Sequence, residues 1–349
     1  MARLEQDACL LNVAMKNFAR IKLFARWKRL WASTLFGSVG PTGDRATKRA
    51  TPVATVKNEK NMIEAPIPMK LGVSYNVFDG EELLEYSIRS VRENVDYVSV
   101  VYQTVSNYGV ACTEDLVETL IRLKTNGLID ELYEYTPQMR RRDKNNASYN
   151  EVEKRDIGLN MSRKNNCTHH MSMDCDEFYV PEQFIYMKKV IEENGYESAA
   201  CRFQNYYKDS IYLLNESNAD NYVSTIFKIN GDTKFVYRSK ESPVRVDPTR
   251  RTNNKNYRIF VRSEIQMHHM TLVRRDLRRK FMSSSYRKHG FGNRDTLVNR
   301  INRKHGFGNI DAIVDYYNNW QYPSPAMSAQ GALIDVVKVD RLFKLPLQG

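Results

Sequence analysis

The sequence predicts an α/β protein, a doubly wound, mostly parallel sheet with a smaller mixed α+β C-terminal portion. Three observations carry this prediction. Short Val- and Tyr-rich runs alternate with helical spacing between residues 70 and 173. Asp79-Gly80 and Gly127 punctuate that alternation where turns and helix ends belong. After residue 180 the alternation loosens into several strands with fewer helices between them.

The elements follow in order. Residues 70–75 form a first strand, closed by the turn at Asp79-Gly80. Residues 81–93 carry Leu84, Ile88 and Val91 at helical spacing. Residues 96–102, rich in Val, read as a buried strand. Residues 114–126 form a second helix, ended by Gly127, and 128–135 a third strand. Residues 150–164 form a third helix, and 167–173 a fourth strand. Beyond these, 181–194 is helical, and 198–206, 222–229 and 264–272 are strands. A strongly basic helix spans 273–287.

Composition bounds the function. The chain has 349 residues, 42% of them hydrophobic, with a net charge of +12. That suffices for a core and attracts anions: nucleotides, phosphorylated substrates, nucleic acid or acidic lipid. Cys9, Cys112, Cys167, Cys175 and Cys201 make no C-x-x-C pair, which suggests neither a zinc site nor a disulfide framework. A reducing, cytoplasmic setting follows, on a membrane surface if the N-terminal segment binds one. No apolar run is long enough to span a bilayer.

Residues 1–37 read as a basic amphipathic segment. Residues 8–43 hold no Asp or Glu. Leu10, Leu11, Ala14, Phe18, Ile21, Trp27, Trp31 and Leu35 recur near helical spacing among Lys16, Arg20, Lys22, Arg26, Lys28 and Arg29. Such a helix lies on an anionic membrane through residues 8–37, or packs on its own domain; it also resembles an organellar transit peptide. Residues 38–66 read as a linker. Arg-Lys-His-Gly-Phe-Gly-Asn occurs at 287–293 and again at 303–309, a local tandem duplication too short for a solenoid.

The chemistry centres on Asp174-Cys175-Asp176, which ends the fourth strand. Isolated, such a pair is a solvated turn or a helix N-cap. At the carboxyl end of a parallel strand it faces the crevice where open α/β sheets bind ligands. There two carboxylates can hold a divalent cation, and the cation a diphosphate. Four segments surround it in chain order: 73–85 (VSYNVFDGEELLE), 98–109 (VSVVYQTVSNYG), 150–158 (NEVEKRDIG) leading into 173–176 (MDCD), and 267–275 (MHHMTLVRR).

With these segments the chain resembles the family 2-like glycosyltransferases of the GT-A fold, over about residues 68–275. The resemblance implies a catalytic domain over 67–287, with a nucleotide-binding half at 67–180 and an acceptor half at 181–287. Residues 288–349 would be a C-terminal helical extension. It implies a metal-dependent transfer of a sugar from a nucleotide-sugar donor to an acceptor hydroxyl of a glycan or glycoconjugate, with Mn²⁺ or Mg²⁺ as cofactor. Tyr75 and Asn76 would line the nucleotide pocket, with Gln103, Ser106 and Asn107 near the base or ribose. The family usually has an Asp where this chain has Tyr102-Gln103, which leaves the base open. Arg155 would face the diphosphate. Asp174 would serve the donor's sugar or ribose and stand near the metal; Asp176 would contact the metal directly. His268 or His269 would complete the shell, and strand alternation allows only one of them to reach it.

An inverting transfer also needs a carboxylate base. Asp220 and Glu241 are the candidates chosen, ahead of Glu216 and Asp247. Arg274, Arg275, Arg278, Arg279 and Lys280 could close over the leaving group, although most of such a run belongs on a solvated helix face. Other readings are a sugar-nucleotide pyrophosphorylase, a basic nucleic-acid-binding protein or a non-catalytic transferase homologue. The first wants basic residues in the loop 76–80, which has none. The second wants a nucleic-acid motif, which the basic stretches lack, so nucleic acid is not an expected partner.

Overall fold

In the computed structural model, the described residues are 68–138, 146–215, 221–283, 310–322 and 336–345. All lie within one compact unit, Ala65–Gly349. The predicted amphipathic segment, the linker and the duplicated heptapeptide fall outside the described residues, as does the candidate base Asp220.

The alternating strands and helices of the first part of the chain form as their spacing predicts. β1 (Leu71–Val77), α1 (Glu81–Val91), β2 (Tyr97–Tyr102), α2 (Asp115–Thr125), β3 (Glu131–Glu134), α3 (Asn146–Lys164) and β4 (His169–Asp174) follow in order. β1 pairs in parallel with both β2 and β4, and β2 with β3, so the parallel core runs β3-β2-β1-β4. Antiparallel strands then extend it. β8 (Tyr222–Lys228) pairs with β4, β6 (Ser198–Tyr207) with β8, and β7 (Asp209–Leu214) with β6. β5 (Glu177–Phe178), α4 (Pro181–Asn194), β9 (Tyr257–Ile259) and β10 (Gln266–Leu272) complete this half. β10 lies antiparallel to β5 and parallel to β6. The fold is α/β with a mixed sheet.

One face of the parallel core is greasy. Leu71, Val73, Tyr75 and Val77 of β1 share a cluster with Met171 and Met173 of β4. Leu84 and Ile88 of α1, Leu116 and Leu120 of α2, and Phe184 and Met187 of α4 cover it. Each such side chain contributes ~1.5–3 kcal/mol by leaving water. The opposite face is built from small residues. A Cβ on Gly158 of α3 would meet the Ser74 Oγ at 2.1 Å, and one on Gly72 would meet the Ser162 Oγ at 2.4 Å. Glycine and serine therefore let α3 sit directly on β1, which brings Arg155, one turn before Gly158, down onto the end of β4.

Two expectations change beyond β10. The basic helix predicted over 273–287 begins only at Leu277: α5 is Leu277–Ser283, and Val273–Asp276 is irregular. The region 288–349 is not only helical. Its described residues form α6 (Ile310–Asn319) and a strand, β11 (Val336–Lys338), which pairs antiparallel with β7 and so joins the sheet. Leu277 and Phe281 of α5 pack with Tyr207, Ile313, Tyr317, Trp320 and Val336 in one apolar cluster, which ties α5 to the sheet edge. No helix among the described residues is long and apolar enough to cross a membrane.

Candidate active site

The chain leaves β1 for β2 and β3 on one side, and reaches β4 on the other. The strand order therefore reverses between β1 and β4, and at the carboxyl ends of such a pair open α/β sheets form their ligand crevice. Asn76 and Asp174 are register partners there, on the face that carries α3. Asn76 is buried, and neither its amide nitrogen nor its amide oxygen has a hydrogen-bond partner among the described residues. The same holds for Oε1 of the buried Gln103, at the end of β2, and for Nε of Arg155. Buried polar groups are rarely left so, and four such atoms lie around this one sheet edge.

The two aspartates have separate surroundings. Asp174 keeps 36% of its side-chain surface and sits between two buried arginines: Oδ2 lies 2.6 Å from Arg250, and Oδ1 lies 3.4 Å from Arg155. Burial opposes its charge, but Arg250 and Arg155 outweigh it and bring the carboxyl down to about 2. Arg155 also donates to Ser172 Oγ at 2.6 Å, and Arg250 to Glu177 Oε2 at 2.9 Å. Glu177 is fully enclosed, and burial raises its pKa. Arg250 was not singled out in the sequence. It lies in the irregular stretch between β8 and β9, where no periodicity or motif announces it.

Asp176 is buried in the turn after β4. Its Oδ2 accepts from Arg274 at 2.5 Å and from Lys280 at 2.9 Å. Burial opposes the charge; Lys280 and then Arg274 reverse this and hold the carboxyl well below its usual range. Its other oxygen, Oδ1, lies 3.6 Å from His269 Nε2. His269 Nδ1 faces Asn205 Oδ1 at 2.8 Å, so Nδ1 carries the proton and Nε2 the lone pair when the ring is neutral. Gly80 makes room for Arg274. Its φ is 90°, and a Cβ there would meet Arg274 Nη1 at 1.8 Å. The turn at Asp79-Gly80 therefore needs glycine for its backbone and for its neighbour.

The remaining predicted residues disperse. Tyr75 is on the opposite face from Asn76, fully buried, with its hydroxyl 3.3 Å from Ser87 Oγ. Strand alternation makes it a core contact rather than a crevice wall. Ser106 is buried and accepts from the backbone of Tyr108 and Val110, which shapes its own loop. Asn107 donates to Glu151 and accepts from Asn150, tying that loop to the start of α3. Of the histidine pair, His268 points away from Asp176. Its Nδ1 lies 2.8 Å from the Tyr206 hydroxyl, its ring packs on Phe343, and burial pushes its pKa down to about 4. Glu241 is exposed in the stretch between β8 and β9. Of the basic run, Arg274 and Lys280 alone reach Asp176; Arg278 pairs with Asp311, and Arg279 donates to Ala111 O.

A divalent cation fits one edge of this site. An oxygen and a nitrogen 3.6 Å apart can both reach one ion at ~2.1 Å each. Asp176 Oδ1 and His269 Nε2 are such a pair, and Asn205 orients the imidazole as an outer-shell partner does. Asp174 does not join them, because both its oxygens face arginines. No group of three or more His, Cys, Asp or Glu side chains among the described residues could hold a metal unaided.

No family model and no curated protein matches the sequence. Among solved structures the chain is similar to S. aureus TarS 1–349, with a TM-score of 0.36 and 11% identity. The match covers 58% of this chain and 61% of that one. It is similar also to GalNAc-T7 with UDP, GalNAc and Mn²⁺, at a TM-score of 0.32 and 11% identity, over 58% of this chain and 44% of that one. A third is glucosyl-3-phosphoglycerate synthase from Mycobacterium tuberculosis with Mn²⁺, UDP and glucosyl-3-phosphoglycerate, at 0.26 and 14%, over 39% and 44%. Each match spans less than two thirds of the other chain. At these scores the likenesses carry no argument about chemistry, which has to come from the residues of the crevice.

Proposed function

We propose that the protein transfers a glycosyl group from a nucleotide-sugar donor to an acceptor hydroxyl of a glycan or glycoconjugate. One observation carries this reading. Buried polar atoms without partners among the described residues, on Asn76, Gln103 and Arg155, converge with two cation-held aspartates at the point where the strand order reverses. A nucleoside diphosphate supplies what that edge wants: donors and acceptors for Asn76 and Gln103, and phosphate oxygens for the cations.

In the reaction the bond from the donor's anomeric carbon to the diphosphate oxygen breaks, and its electron pair leaves with the diphosphate. The acceptor oxygen bonds to that carbon and gives its proton to a carboxylate, with Asp220 and Glu241 the candidates for that role. Asn76 and Gln103 orient the nucleotide. Arg155 and Arg250 hold Asp174 ionised toward the donor's ribose or sugar. Asp176 and His269 would hold Mn²⁺ or Mg²⁺, which when bound would supply Lewis-acid neutralisation of the diphosphate. Arg274 keeps Asp176 ionised, which such a site requires.

The test is a thermal-shift panel of nucleotide sugars with Mn²⁺ or with EDTA. A donor that binds the folded chain alone raises its melting temperature. Transfer is then assayed with the donor so found. Asp176→Asn is expected to lower transfer ~10²-fold or more, as loss of a charge-stabilising group at a reacting centre does. Transfer at the wild-type rate in that variant would overturn the assignment, and a panel without any stabilising nucleotide would overturn the donor class.

A further inference from the structure

One carboxylate oxygen, Asp176 Oδ2, carries two cations, and they are not equivalent. Arg274 is enclosed, with 1% of its side chain exposed, and its Nη1 also faces Glu82 at 4.0 Å. It is one of the two cations that hold Asp176 ionised. Lys280 keeps 19% of its side chain exposed, and among the described residues its ammonium makes one hydrogen bond, to Asp176. An ammonium has three protons to give, so two of them remain for another acceptor.

Its position is set by α5. Arg279 lies over the Phe78 ring at 5.8 Å, and Ser283 donates to Asp79 Oδ2 at 3.3 Å, so α5 lies across the turn that follows β1. Lys280 is thus held beside the turn that follows β1, where its ammonium meets Asp176 after the end of β4. The edge of Asp176 that faces His269 is the other one.

We propose that Lys280 is a diphosphate-binding residue of this site. The inference rests on the nucleotide-sugar reading above and adds to it a residue and a division of labour. The two oxygens of Asp176 split their duties: Oδ1, with His269, is the edge for a divalent ion, and Oδ2 presents Lys280 to the same diphosphate. A consequence is that part of the affinity for a nucleoside diphosphate over its monophosphate persists without metal. Charge-assisted contact to the outer phosphate supplies that preference.

The experiment uses the full chain, titrated calorimetrically in EDTA with UDP, GDP, ADP and CDP, and then with the monophosphate of whichever binds. Wild type is expected to prefer the diphosphate by ~10-fold, the worth of one charge-assisted contact. Lys280→Met should abolish that preference while leaving monophosphate affinity unchanged, and Lys280→Arg should restore it. Arg274 still neutralises Asp176 in both variants, so the fold keeps its buried pair, and melting temperatures check this. Arg278→Met, at an exposed position on the same helix, controls for net charge. An unchanged preference in Lys280→Met, or an equal loss in Arg278→Met, overturns the role of Lys280. If wild type binds no nucleoside diphosphate in EDTA or in Mn²⁺, the nucleotide site itself is wrong and the inference falls with it. Binding in Mn²⁺ alone leaves the site standing and overturns only Lys280.

Discussion

In the parallel half of the sheet, β3-β2-β1-β4, side chains at the strand ends are carboxylates and amides, and the helix behind them is seated by glycine and serine. In the half beyond β4, irregular stretches and a short helix deliver arginine and lysine to those same carboxylates. Arg250 reaches Asp174 and Glu177, and Arg274 and Lys280 reach Asp176. Only Arg155 comes from the parallel half. One half thus holds an anionic edge in a rigid register, and the other closes it with cations. Buried charge of either sign is tolerable only with the other half in place, so the site is complete only when both are folded.

The sharpest way to break this comparison is to remove a cation that joins the halves. Arg250→Met leaves Glu177 enclosed without its bidentate partner and Asp174 with Arg155 alone. A loss of ~3–5 kcal/mol in urea unfolding is expected, the cost of stranding a buried charge. A loss of ~1 kcal/mol or less would mean that the halves do not depend on each other's charges.

Histidines test the same division through pH. Burial is the first cause in each of three cases: His169 and His268 are pushed down to about 4, and His170 to about 3. A histidine lowered in the folded state is neutral there while the unfolded chain takes up a proton near pH ~6.5. Its stabilising contribution is full above that value and is lost as pH falls through the folded value. With three such groups, stability should fall by ~3 kcal/mol between about pH 6.5 and 5.5. Asp174, held down to about 2, loses its contribution only below about pH 4 and leaves that window untouched. Urea midpoints across the window measure the slope. His170→Phe and His268→Phe should each remove about a third of it, one from each half; a flat wild-type profile would contradict the burial of all three.

The smallest effect concerns the seat of α3. Gly158→Ala places a methyl against Ser74, and the overpacking should cost ~1–3 kcal/mol. Ser74→Gly in the same chain should recover most of that loss. A double variant no better than Gly158→Ala would show that the helix is not seated by this pair.

Much of the parallel half was legible because its signals are local. Alternating runs of β-branched and helical spacing give β1 through β4, and a D-x-D after an apolar run marks a strand end. Asn76 and Arg155 both lie beside Asp174, close to where their segments put them. Tyr75 does not, because residue type says nothing about which face of a strand looks into the crevice. The basic run after His269 read as one solvated helix, yet Arg274 precedes the helix and is enclosed, while Lys280 lies one turn into it. Helical spacing does not register where a helix begins when the residues before it are equally basic.

By itself, then, the sequence determined the order of strands and helices from β1 to β4 and the aspartate pair at the end of β4. Each of these depends on residues close together along the chain. The tertiary structure alone decided which cation meets which carboxylate. Asp176 and Lys280 are 104 residues apart, and Asp174 and Arg250 have β5 through β8 between them in the chain. Ion pairing is set by distance in space, and no periodicity in the chain records which distant segment the sheet will fold against its own edge.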